Sequence, residues 1–194
     1  MRRTTSLMLL SLILLAASRP ALAHVGADAG GHHGLLTGFS HPLTGLDHLA
    51  AMLAVGFWSA LTTRRVWAAP LAFAGLLLVG ALLAQAGIAF PGIEPMIAAS
   101  MLVAGLLLAA QVRLPEAAGA LLVGAFALFH GAAHGQELAG TTALLGMVAG
   151  TAVLHLIGMG LGLLLRARAA WLPRLAGAAV ALFGMTMGWS LIAA

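Results

Sequence analysis

Six apolar runs, each close to membrane length, constrain this chain more than any other feature. They cover residues 44–63, 66–89, 95–112, 116–133, 141–165 and 172–193. A helix needs ~20 residues to cross ~30 Å of hydrocarbon. The breaks between runs are short and carry charge, proline or glycine: Arg64-Arg65, Phe90-Pro91-Gly92, Arg113-Leu114-Pro115, residues 135–140 and residues 166–174. Of the 194 residues 62% are hydrophobic and 7% charged, against about a quarter charged in a soluble domain. Such a chain cannot coat a water-soluble globule. The runs lack the alternation of a barrel strand, so the fold expected is an all-α integral membrane protein, a six-transmembrane-helix bundle.

Composition removes several function classes. There is no cysteine, which excludes disulfides, thiolate metal sites, iron–sulfur clusters and cysteine nucleophiles. Lysine is absent too, and the arginines are scattered among short loops. No basic patch for nucleic acid exists. No phosphate-binding loop of the Walker type is present, so the chain hydrolyses no ATP by that route.

Residues 1–23 read as a secretory signal peptide. Arg2 and Arg3 precede a short apolar core, and Ala21-Leu22-Ala23 fits the small-x-small cleavage rule. Residues 24–40 form a Gly/His-rich periplasmic leader with His24, Asp28, His32 and His33, without periodicity and flexible in this reading. The six-helix domain is expected over 41–194. Cleavage places the mature N-terminus outside, and six crossings bring the C-terminus back to the periplasm. Arg64, Arg65, Arg113, Arg166, Arg168 and Arg174 then all fall on the cytoplasmic side of a bacterial inner membrane, as the positive-inside rule asks. Trp58, Trp67 and Trp171 lie close to these loops, where an interfacial belt is expected.

The histidines fall on the other side. In His41-Pro-Leu-Thr-Gly-Leu-Asp47-His48, the two histidines are seven residues apart, on one face if a single helix carries both. Pro42 and Gly45 argue for irregular backbone there, and Thr44 with Asp47 has the spacing of a capping pair. In Phe129-His130-Gly-Ala-Ala-His134-Gly-Gln-Glu137, His130, His134 and Glu137 stand at i, i+4 and i+7, one stripe of a helix. Imidazole and carboxylate are costly to place in a bilayer, so two such clusters at one depth point to a metal site. Imidazole with carboxylate suits nickel, cobalt, zinc and copper(II), and does not suit magnesium or copper(I). His155, mid-way along the fifth run, shares a face with Thr151, Gly158 and Met159 and is expected to turn into the bundle. It is a secondary candidate, with His24, His32 and His33.

The two motifs resemble the signatures of the HupE/UreJ family, nickel or cobalt permeases that accompany hydrogenase or urease gene clusters. The resemblance spans the whole chain. It implies that His41, Asp47 and His48 match the first signature, and His130, His134 and Glu137 the second. The function expected is secondary uptake of Ni2+ or Co2+, with Zn2+ as a further candidate, and with no prosthetic group and no enzyme activity. The competing reading is an intramembrane zinc-dependent hydrolase using Asp47 or Glu137 as base; a bis-histidine haem carrier is a third. The partners expected are the metal ion and the lipid bilayer, with homo-oligomerisation left open.

Overall fold

The computed structural model describes residues 34–166 and 171–193. The signal peptide, the leader residues His24, Asp28, His32 and His33, and Arg168 lie outside these. Among the described residues all regular structure is helical: α1 (Leu35–Thr44), α2 (Leu46–Thr62), α3 (Ala68–Gln85), α4 (Ile93–Ala110), α5 (Glu116–Glu137), α6 (Thr141–Leu165) and α7 (Trp171–Ala193). Helices α3 to α7 are long and apolar enough to cross a membrane; α2, at 17 residues, is a shorter apolar helix. The outside of the bundle is apolar, with Leu121 70% and Ile192 82% exposed. Such a surface is stable against lipid rather than water.

The first expected run, 44–63, is a single helix over Leu46–Thr62, but another helix precedes it. The leader was expected to stay aperiodic to residue 40, yet α1 occupies Leu35–Thr44. What holds α1 is distant in sequence. A Cβ on Gly146 would meet the Leu35 carbonyl, one on Gly150 the Phe39 carbonyl, and one on Gly38 the Ala143 carbonyl, so α1 lies backbone-close along α6. The chain then breaks at Gly45, which is extended (φ −84°, ψ 116°). Pro42, inside the last turn of α1, removes a backbone donor there. Glycine at 45 also leaves room for a neighbouring pair: a Cβ would stand 3.0 Å from Asp47 Oδ1 and 3.3 Å from His48 Nδ1. His41 and His48 therefore belong to two helices that both pack on α6. Neither helix end uses the capping pair suggested by spacing, since the Thr44 hydroxyl donates to the His41 carbonyl (2.8 Å) and Asp47 turns to His48.

The other helices pair through the same kind of approach, α3 with α5 and α4 with α7. In lipid, where apolar burial drives little association, small residues that admit a neighbouring backbone make the contact. These contacts repeat. A Cβ on Gly56 (α2) would meet the His155 carbonyl (α6), and one on Gly158 (α6) the Leu53 carbonyl (α2). On the other side, a Cβ on Gly131 (α5) would meet the Leu77 carbonyl (α3), and one on Gly80 (α3) the Leu128 carbonyl (α5). A shift of 75 residues carries Leu53 and Gly56 onto Leu128 and Gly131, and a shift of 78 carries Leu77 and Gly80 onto His155 and Gly158. Between α4 and α7, Gly105 faces Ala181 while Gly177 faces Ala109, a contact that a shift of 72 maps onto itself. The triplet α2–α3–α4 and the triplet α5–α6–α7 thus share one packing plan. Three helices of alternating direction per unit set the two units in opposite senses, the arrangement of many secondary transporters.

Two sets of bonds define the bundle's ends. At one end, the Trp58 indole donates to the Val112 carbonyl (2.8 Å) and Arg65 Nε lies 3.4 Å from Glu116 Oε2. Arg64, Arg113 and Arg166 lie in the loops or at helix ends there. Trp58 is a correction to the expected belt: it is 1% exposed and part of the core, whereas Trp67 and Trp171 are exposed. At the other end, Gln85 Nε2 donates to the Leu138 carbonyl (2.8 Å) and His41 Nε2 lies 2.8 Å from Glu137 Oε2.

Candidate metal centre

Helix α5 runs through the whole second motif to Glu137, four residues past the expected apolar run. Its last turns remain helical because the polar side chains there face the bundle rather than lipid. His130 and His134 are 0% and 1% exposed. The break at Gly45 brings the first motif against this stripe from two directions, with α1 supplying His41 and α2 supplying Asp47 and His48.

All six predicted residues converge. The His48 ring is centred 4.1 Å from the His134 ring and 4.9 Å from the His130 ring. The His41 ring is centred 4.8 Å from that of His134. Glu137 Oε2 lies 2.8 Å from His41 Nε2 and 3.8 Å from His134 Nδ1. One ligand atom from each of His41, His134 and Glu137 lies within 4.8 Å of the other two. Ligands bound at ~2.0–2.2 Å to one ion stand about 3–3.5 Å apart, so a shift of roughly 1 Å closes the set.

Hydrogen bonds fix which nitrogens are available. Asp47 Oδ1 lies 3.1 Å from His48 Nδ1 and accepts its proton, which leaves the lone pair of His48 on Nε2. The Ser100 hydroxyl lies 2.7 Å from the Ile97 carbonyl and 2.6 Å from His130 Nε2. When it donates to Ile97 it accepts from His130 Nε2, and the lone pair of His130 is then on Nδ1. These are the outer partners that set the tautomer and orientation of a metal-ligating imidazole. The atoms left over have no hydrogen-bond partner: Asp47 Oδ2, His48 Nε2, His130 Nδ1, and both nitrogens of His134. A buried polar group without a partner costs ~1–3 kcal/mol. Five such atoms stand in one cluster, and the lone pairs among them, on Asp47, His48 and one nitrogen of His134, call for an electrophilic partner.

Ser100 was not legible in the sequence, since it lies on α4, 30 residues before its partner. Neither was Phe73 on α3, whose ring centroid is 5.6 Å from that of His130 and 5.2 Å from that of His155. Met52, one turn beyond His48, is fully buried in the apolar core. His155 is buried as expected and lies against Phe73, outside the cluster.

Comparison with known proteins decides the relationship. The sequence model of the family described as HupE / UreJ protein matches residues 12–187. The chain belongs to the HupE/UreJ family. Protein HupE of Rhizobium leguminosarum bv. viciae is 43% identical over 183 residues, covering 91% of this chain and 94% of that protein. No solved structure matches the chain.

Within this candidate centre, Asp47→Asn gives the first expected result. An amide holds His48 less firmly and its NH2 can force the other tautomer, turning the His48 lone pair away from His134. Metal affinity should fall about 10–100-fold, the range for loss of a partner that orients a ligand. Titration of the purified protein with Ni2+ measures it; an unchanged affinity would remove Asp47 from the centre.

Proposed function

We propose that this chain is a secondary permease that takes up a divalent transition-metal ion, Ni2+ or Co2+, from the periplasm through the bacterial inner membrane. The reading combines six spans, with α1 and α2 as one broken first span, and a signal peptide removed after residue 23. N- and C-termini then face the periplasm, the arginine end faces the cytoplasm, and the His41–Glu137 end receives the ion. The observation that carries the reading is the convergence of four imidazoles and two carboxylates beside five partnerless buried atoms. The family resemblance favours nickel or cobalt over zinc.

The entry step follows from the contacts. Glu137 is about one-third exposed and His41 about one-fifth, while His134 behind them is buried, so an ion meets the outer pair first. It takes the place of the hydrogen between His41 Nε2 and Glu137 Oε2, the ring proton passing by way of water to Nδ1 so that the neutral imidazole binds through Nε2. His134 Nδ1, 3.8 Å from Glu137, supplies the next ligand. The chain of rings then offers His48 Nε2 and His130 Nδ1 further in. Hydrolase chemistry needs a carboxylate free to act as base; here Asp47 is bonded to His48, and Glu137 lies between His41 and His134.

A divalent ion gains about 4.6 kcal/mol per 100 mV on moving inward, at ~2.3 per charge. That sustains roughly thousandfold accumulation at ~1.4 kcal/mol per decade. Proteoliposomes holding the full chain should therefore accumulate Ni2+ when a potassium diffusion potential makes the lumen negative, and much less when it is collapsed. Vesicles that bind the ion and admit none would end the transport reading.

A further inference from the structure

Beyond the cluster, α6 carries two buried polar side chains that the centre does not use. Thr151 and His155 stand one helical turn apart on one face and are 0% and 2% exposed. Thr151 Oγ1 and both ring nitrogens of His155 have no hydrogen-bond partner. This is unusual for threonine in a helix, whose hydroxyl readily bonds the carbonyl one turn back. Three buried atoms at mid-helix that make no hydrogen bond mark a place where a polar visitor is stabilised.

The internal repeat sharpens the point. The shift that relates α3 to α6 makes Leu77 the counterpart of His155 and Phe73 the counterpart of Thr151. Phe73 and His155 touch, with ring centroids 5.2 Å apart. His155 thus touches Phe73, the apolar counterpart of its neighbour Thr151, where the two units meet. The packing plan is satisfied by leucine and phenylalanine in one unit, so packing does not require histidine and threonine in the other. The same Phe73 ring lies 5.6 Å from the His130 ring, so one aromatic side chain touches both the cluster and the pair.

We propose that His155 and Thr151 form a second, mid-depth station for the transported divalent cation, reached from the His130 side of the cluster past the Phe73 ring. The proposal rests on the permease reading and adds a site to it. His155 supplies one strong nitrogen ligand and Thr151 a weak oxygen ligand, with the ion keeping part of its water shell. A station with one imidazole holds its ion less tightly than the six-residue cluster. That weakness suits transit, since conduction needs sites that bind well enough to be entered and weakly enough to be left.

The test uses the full chain in proteoliposomes and in detergent, with Ni2+ and Co2+ as probes. His155→Leu places at 155 the residue its counterpart carries and is expected to pack. Potential-driven Ni2+ uptake should fall by about tenfold or more, the scale of losing a metal-ligand contact, while equilibrium Ni2+ affinity at the cluster stays within twofold. A second variant reads coordination directly. The chain has no cysteine, so His155→Cys introduces a single thiol, and Co2+ should then produce a thiolate-to-cobalt charge-transfer band in the near ultraviolet. Wild-type uptake by His155→Leu, or no such band in His155→Cys at Co2+ levels at least about 100-fold above those that saturate the cluster, overturns the station and leaves the permease intact. Failure of the wild-type chain to move either ion overturns the permease, and the station falls with it.

Discussion

Alanine in place of His134 yields a bundle about as stable as the parent that takes up no nickel. The two halves of this expected result come from one fact. His134 is 1% exposed and neither ring nitrogen has a hydrogen-bond partner. Truncating a buried ring leaves a cavity and loses packing, a cost of a few kcal/mol. Removing two buried polar atoms that make no hydrogen bond returns up to ~1–3 kcal/mol each, less at Nδ1, where Glu137 stands at 3.8 Å. The terms oppose each other, and stability should stay within about 2 kcal/mol of the parent. Uptake has no such compensation. His134 sits between the His41–Glu137 pair and His48, with Glu137 at 3.8 Å and the His48 ring centroid at 4.1 Å. Without it the inner and outer parts of the cluster share no ligand, and uptake should drop by at least about 100-fold, the upper end of what even an orienting partner contributes. A melting temperature lowered by more than about 8 °C, some 2–4 kcal/mol for a chain this size, together with uptake of half the parent's or more, would make His134 a packing residue and undo the centre.

Much of this was legible in the sequence, and what was not has identifiable causes. The helix α6 has the bounds its hydropathy indicated, because Gly140 and the arginine after Leu165 mark both ends locally. The stripe His130–His134–Glu137 followed from helical spacing alone. The break between His41 and His48 was foreshadowed by Pro42 and Gly45, but α1 was not, because the backbone that holds it belongs to residues 143–150. Ser100 and Phe73 carry no local mark; each becomes part of the centre only through helix pairing. Trp58 near a charged loop resembled a belt residue, and the distant Val112 carbonyl made it a core residue instead. The repeat was hidden for a similar reason. What the two units share is the placement of backbone contacts, while the side chains at matched positions differ in kind, His155 against Leu77. The ligand-bearing motifs did not reveal it, since both lie at the same end of the bundle.

The shared packing plan leads to the second large effect, Gly131→Val. A Cβ on Gly131 would meet the Leu77 carbonyl and the Ala81 amide, both backbone and unable to turn aside. Helices α3 and α5 would have to separate along the line where Gly80 and Gly135 also make backbone contact. Gly131 lies between His130 and His134, so the separation moves both imidazoles away from α2. The expected result is loss of the folded, monodisperse protein in detergent and of uptake in membranes, a destabilisation in the exceptional class above about 4 kcal/mol. Gly160→Ala is the control. It too is a glycine within a helix, but nothing lies within 4 Å of its would-be Cβ, so alanine should be neutral or stabilising by up to about 1 kcal/mol. The repeat adds a demand that local sterics alone would not group together: Gly56, the counterpart of Gly131 and opposed to the His155 carbonyl, should fail in the same manner. A Gly131→Val protein that folds and transports would mean that α3 and α5 do not pack backbone to backbone, and the cluster built on that contact would lose its support.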